Sequence, residues 1–223
     1  MNGTRLLLLP LLALVLLTGA CAAPARSLLP LDPALTSAVR EECQKPFLKG
    51  PLRLVHALEF EVPGGKSAAI GVLAADPGTR TFRTALMTLE GWVLFDIESG
   101  KTLTVHRAVP PFDSPAFARR MAEDISLAFF FPAEPLLALG QEEKGVPVCR
   151  FNRAGGGFAD LFGSGEDQME FRLYDAGGDQ QKSATFSSFN AEGLAGVVEI
   201  RSESPSYRLR LRLLESEPMA AVQ

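Results

Sequence analysis

Three cysteines and two histidines are the residues of widest chemical reach in this 223-residue chain. A thiolate can attack, bind a metal, pair oxidatively or carry an acyl group, and an imidazole can move protons or hold a metal. Cys21, Cys43 and Cys149 lie far apart in sequence, and neither His56 nor His106 has a metal-like spacing to a cysteine or carboxylate. Both histidines fall within strand-like runs, and His56 shares a side with Leu54 and Leu58, which favours a satisfied core histidine over a catalyst. A Gly-x-Ser-x-Gly nucleophile elbow is absent, and carboxylates such as Glu123-Asp124 and Glu142-Glu143 read as solvated. No catalytic residue, metal or cofactor is expected, and the chain reads as a non-enzyme.

The remaining chemistry is at the start of the chain. One charge, Arg5, precedes the apolar run 6–17 and then Thr18-Gly19-Ala20-Cys21. A run this short falls below the roughly 20 residues of a membrane span and reads as a secretory signal over residues 1–20. Leu17-Thr18-Gly19-Ala20-Cys21 resembles a bacterial lipobox, although Thr18 stands where Leu is preferred; an ordinary signal with a stray cysteine is the alternative. The resemblance implies cleavage before Cys21 and acylation of its thiol. Several acyl chains at about 0.8 kcal/mol per buried CH₂ make release from a bilayer negligible. Ala22 and Ala23 follow, not the Asp that marks retention in an inner membrane. The expected place is therefore the bacterial envelope, on the periplasmic side of the outer membrane, with membrane lipid as the first partner.

The formal net charge of −4 becomes −5 without Arg5, which argues against a nucleic-acid partner. About 200 residues then remain, enough for one domain with a sizeable core. Cys43 and Cys149 are left in a compartment that permits disulfides; a bridge is the preferred reading, and two buried free thiols the alternative.

The elements that hold these residues follow from periodicity. Residues 21–31 read as a lipidated tether, 32–216 as a single domain and 217–223 as a tail. Asp32-Pro33 supplies an N-cap and a first-turn proline, and Leu35, Ala38, Val39 and Cys43 recur at helical spacing until Pro46. From residue 52 the period is two, with Leu52, Leu54, His56, Leu58 and Phe60 on one face. Further strands are expected over 67–75, 81–89, 92–97 and 102–108, an antiparallel meander joined by short turns. Ser114-Pro115 opens a second helix with the stripe Phe117, Met121, Ile125 and Ala128, which Pro132 ends. Strands resume over 146–152, 168–174, 182–189, 196–202 and 207–214. The expected class is mainly β (α+β): a curved antiparallel sheet or half-barrel of about ten strands, its concave face covered by the two helices.

An acylated cysteine, a leading helix, a long meander, a central apolar helix and further strands together resemble the fold shared by the outer-membrane lipoprotein receptor LolB and its periplasmic carrier LolA. The likeness covers roughly residues 33–214. It resembles most an uncharacterised group of LolB-like lipoproteins, on the strand pair 86–95 and the segment Met121-Ala-Glu-Asp-Ile-Ser-Leu-Ala-Phe-Phe-Phe-Pro132. The resemblance implies a membrane-anchored protein that binds an acyl chain, a lipoprotein or another apolar envelope molecule. In LolB a membrane-probing loop with an exposed apolar residue lies between early strands; here the corresponding turn reads as Glu90-Gly91 alone.

Three binding features are expected on the domain. Trp92, Phe95, Phe117, Met121, Ile125, Phe129, Phe130 and Phe131 could line an apolar ligand cavity or equally fill a packed core. Phe158, Leu161 and Phe162, flanked by glycines, read as a flexible apolar loop that touches lipid or folds over a pocket mouth, with an ordinary hairpin loop as the alternative. Arg208, Arg210 and Arg212, joined by Arg201, form a basic face that is either solvated or turned to headgroups or a protein partner. A non-catalytic interaction module of an envelope assembly, with a fully packed core, is the competing function.

Overall fold

The computed structural model describes residues 27–44, 47–130, 132–163 and 167–220. The leader, Cys21 and Phe131 lie outside the described residues. Twelve antiparallel strands form a single sheet, with two helices among the described residues. In chain order these are α1 (Pro33–Glu42), β1 (Leu52–Val62), β2 (Gly65–Asp76), β3 (Thr81–Met87), β4 (Val93–Ser99), β5 (Leu103–Ala108) and α2 (Pro115–Phe129). There follow β6 (Leu136–Gln141), β7 (Pro147–Asn152), β8 (Phe158–Gly163), β9 (Gln168–Tyr174), β10 (Gln180–Phe189), β11 (Ala195–Ser202) and β12 (Tyr207–Pro218).

The order across the sheet is β5-β4-β3-β2-β1-β12-β11-β10-β9-β8-β7-β6. Two meanders, β1–β5 and β6–β12, are thus zipped together by the single long-range pairing of β1 with β12. The chain leaves β5 at one edge and must re-enter as β6 at the other, so α2 has to cross a face of the sheet. The caps that start the two helices are the ones the sequence advertises: Asp32 accepts a hydrogen bond from the Ala34 N–H, and Ser114 Oγ from the Phe117 N–H.

Two strands exceed the expected ten, and both lie where no alternation was legible. β6 occupies the Pro- and Leu-rich stretch after Pro132, and β8 occupies the segment read as a flexible loop. The inner edge problem is handled differently at the two ends: β6 gains a backbone partner, because Leu29 and Gln141 exchange hydrogen bonds of 2.9 Å, ahead of α1.

The core lies on the sheet face that α2 crosses. Phe117 packs edge-on against Phe95 of β4 at 5.2 Å, while Asp124 takes a hydrogen bond from Lys182 of β10. These helix positions are about 10 Å apart along the axis, yet a flat sheet would set β4 and β10 roughly 29 Å apart. One helix thus reaches strands that lie six places apart in the sheet order. On the opposite face, charges pair across strands, Arg83 with Asp96, Arg53 with Glu217 and Arg208 with Glu199, which also pairs with Arg201 along its own strand. The basic face expected on the last strand is thus offset by acidic neighbours, and Arg201 and Arg208 belong to a solvated ion-pair ladder.

Candidate ligand-binding cavity

A cavity of about 610 Å³ lies between the end of α2, the segment that follows α1, and strands from both meanders. Its walls include Leu54 and Leu213 from the β1–β12 seam, Ala128 and Phe129 from α2, and Leu161, Phe186 and Val198 from β8, β10 and β11. The exposed Glu42, Lys49, Gln168 and Gly193 mark its mouth. The size is that of a site for a small molecule, and the ratio of many apolar walls to few polar groups is typical of such sites.

One wall is held by the bond between the two remaining cysteines. Cys43, fully buried at the end of α1, is bridged to Cys149 of β7, and Cys149 itself lines the cavity. Beyond the bridge two residues line the cavity: Phe47 packs its ring against Phe186 at 5.3 Å and Phe171 at 6.4 Å, and Leu48 is buried. A helix with no buried residue of its own besides this terminus is thereby fixed to the sheet.

Of the eight residues expected to line one cavity, Phe131 lies outside the described residues and the other seven fall in different places. Phe95, Met121, Ile125 and Phe129 surround a space of only about 40 Å³, and Phe117 and Met121 border another of about 60 Å³. Large side chains close this side of α2: Phe117 also meets Phe112 at 5.2 Å, and Phe130 packs on Phe82 of β3 at 6.1 Å. Among the seven described residues of the set, Phe129 alone reaches the 610 Å³ space. Trp92 is not in the interior at all. It is 71% exposed in the β3–β4 turn, where Thr88 and Trp92 close the backbone hydrogen bond, and Leu89 beside it is 70% exposed. The turn is thus longer and more apolar at its tip than Glu90-Gly91 alone.

Phe158, Leu161 and Phe162 form no loop; they are in β8, paired with β7 and β9. Leu161 points into the cavity side, whereas Phe158 and Phe162 lie on the other face. There Phe158 stacks on Tyr174 at 4.6 Å with the Arg150 guanidinium 4.0 Å above its ring, and Arg172 lies 4.1 Å over Phe162. Arg150 makes a buried two-bond contact to Asp160, each bond 2.7 Å. Burial on both faces removes alternation, and the glycines that suggested mobility, such as Gly157 at φ +84°, form the turn into the strand.

Two polar arrangements were not expected. Asp124, read as solvated, is buried on α2 and accepts hydrogen bonds from Lys182 Nζ and the Tyr207 hydroxyl. Burial, only partly offset by Lys182, holds its carboxyl above the ordinary range, and burial together with the Asp124 charge pushes the Tyr207 hydroxyl up. The other is His56, 3% exposed, which lines both the 610 Å³ cavity and the 40 Å³ space. Its ring lies 5.3 Å from that of Phe129 and makes no hydrogen bond to the described residues. It is a core histidine but not a satisfied one. Burial lowers its pKa to about 4, so the ring is neutral at pH 7. Among the described residues no group of three His, Cys, Asp or Glu could hold a metal, and no helix is long and apolar enough to cross a membrane.

No family model matches the sequence, and no curated protein matches it. Solved structures do. A LolA superfamily protein from Nitrosomonas europaea superposes with a TM-score of 0.57 at 10% identity, covering 84% of this chain and 94% of that one. A domain described as that of an outer membrane lipoprotein-sorting protein, from Vibrio parahaemolyticus, gives 0.56 at 11% identity over 84% and 92%. A DUF1329 family protein from Desulfovibrio piger gives 0.51 at 9% identity over 87% and 95%. At such identities the likeness speaks for architecture, and it runs over nearly the whole of each neighbour: the chain has the LolA-like fold.

Proposed function

We propose that this protein is a non-enzymatic, lipid-anchored envelope protein that holds an acyl chain, the lipid of a lipoprotein or another apolar envelope molecule in the 610 Å³ cavity. That cavity is the observation that carries the reading. Its walls offer methylenes a place out of water at about 0.8 kcal/mol each, and all its charged groups stand at the mouth, where an amphiphile's head would sit. The LolA-like architecture supports it, since one structural neighbour is described as a lipoprotein-sorting domain. Acylated Cys21 is the proposed anchor, and residues 32–216 are the binding domain. The exposed Leu89 and Trp92 are a second proposed contact with the bilayer, because an amphipathic indole and a leucine at a turn tip suit the headgroup boundary.

The test is native mass spectrometry of the full chain carrying Cys21→Ala, purified from its own host. Co-purified lipid is expected, and Ala195→Trp, which places an indole in the partly exposed wall of the cavity, should displace it without loss of fold. Repeated absence of lipid would favour the competing module that docks envelope proteins, for which an unfilled interior of this size serves no purpose.

A further inference from the structure

His56 is placed by two local features. Where β1 meets β12, Val55 pairs with Glu215 but His56 with Leu213, so Leu214 is an extra residue and the ladder bulges there. Bulges of this kind re-aim side chains beside functional sites. On its other side His56 faces Gly71 of β2, which has no side chain to bond or fill the space; a Cβ there would meet Leu58 Cδ1 at 2.7 Å.

None of the neighbouring polar groups bonds to the ring. Thr84, which also borders the 40 Å³ space, donates its hydroxyl hydrogen to the Val72 carbonyl, and both Asp124 oxygens are taken by Lys182 and Tyr207. The flanking positions on the same face are Leu54 and Leu58, so a leucine would serve a packed wall better than an imidazole whose nitrogens find no partner. A neutral imidazole offers one donor and one acceptor. A hydroxyl offers the same pair and enters an apolar cavity far more readily than a carboxylate, which would bring charge with it.

We infer that His56 is the hydrogen-bonding contact for a hydroxyl carried along an acyl chain, so that the cavity selects hydroxylated chains over plain ones. This rests on the acyl-binding reading above and adds the substrate class. The chain's polar end stays at the mouth and its hydroxyl meets His56 on the deep wall beside Phe129.

The experiment measures displacement of a fluorescent fatty acid from the full chain carrying Cys21→Ala. The competitors are myristate and its monohydroxylated counterparts, with the hydroxyl near the carboxyl end, at mid-chain or near the methyl end. One of the hydroxylated isomers should bind about tenfold tighter than myristate, since a site built around a polar group penalises the analogue that leaves it unpaired. His56→Leu should compress that preference, read as the ratio of the two affinities, to within about twofold, and His56→Gln, which keeps a donor and an acceptor, should retain part of it. Equal binding of all competitors to the unsubstituted protein, as when a trapped water meets the ring instead, overturns this inference and leaves the acyl-binding reading intact. Failure of every chain, myristate included, overturns both. Supplying the preferred chain as free acid and as the acyl group of a glycolipid in vesicles separates the sources: extraction from vesicles assigns it to a membrane lipid, and uptake of the free acid alone to a soluble one.

Discussion

Helix α2 divides the interior into two unequal parts. Toward β2–β5 the space is closed to remnants of about 40 and 60 Å³, and toward β7–β11 it opens to about 610 Å³. Both sides are apolar, so hydrophobicity does not distinguish them. The closed side faces large rings, Phe82, Phe95, Phe112 and Phe117, that interlock as cores do. The open side has rings as well, Phe47, Phe129, Phe186 and Phe189, but they stand among the small residues Gly163, Gly193 and Ala195, and the bridged Cys43–Cys149 pair holds its wall in place. A cavity is therefore made by what the wall leaves out and by what stops the wall from collapsing.

The contrast can be broken from either side. The largest effect is expected from replacing Cys43 and Cys149 together by Ala. The bridge closes a loop spanning 106 positions, for which chain entropy suggests about 4–5 kcal/mol; denaturant unfolding should report that loss, and ligand binding should weaken with it. On the closed side, Asp124→Ala leaves Lys182 buried without its carboxylate and should cost about 4 kcal/mol, with little change in ligand affinity in the surviving folded fraction. A mutant that loses binding as much as stability would show that the two sides are not separable.

His56 belongs to both spaces, and its titration sharpens the comparison. Its folded pKa of about 4 lies below the ordinary histidine value of 6.5, so between these pH values the unfolded chain binds the extra proton. Stability is then full above about pH 6.5 and falls as the pH drops toward 4, by about 3 kcal/mol in all. His56→Leu should abolish that component of the pH dependence, measurable as a flatter midpoint-against-pH curve. The smallest effect on folding is expected at the turn outside both spaces: Leu89→Glu with Trp92→Glu should change stability by less than about 0.5 kcal/mol yet reduce association of the Cys21→Ala chain with anionic vesicles in a flotation assay.

Much of this architecture was written in local periodicity. Leu54, His56 and Leu58 alternate with exposed or half-exposed neighbours, and Ser114-Pro115 signals its helix, because each of these has water on one side and protein on the other. β8 has protein on both, and so Phe158 to Phe162 carry no alternation to read. β6 is flanked by prolines and shows the same lack. The candidate lining residues were chosen for size, a property that identifies what fills space; the open volume depends on Ala195 and Gly193 of a turn and on Cys43 meeting Cys149 across the fold, which no local pattern encodes. Trp92 was misplaced for a related reason, since a large aromatic at a strand start is ordinarily core and only its position at a turn tip exposes it. The unpartnered state of His56 is likewise a property of its neighbours: Gly71 is brought opposite by the β1–β2 register.

The backbone bridge between Leu29 and Gln141 has a consequence for how the domain could work at a surface. With Cys21 as the proposed anchor, eight Cα-to-Cα steps separate the lipidated residue from Leu29, a point already fixed to the β6 edge, and a fully extended chain of that length reaches at most about 28 Å. A domain of this size has a radius of gyration of about 16 Å, so the leash is shorter than the body it holds. The protein could roll about its attachment but not drift from the bilayer, and a ligand would pass between membrane and cavity over a distance comparable to the width of the domain.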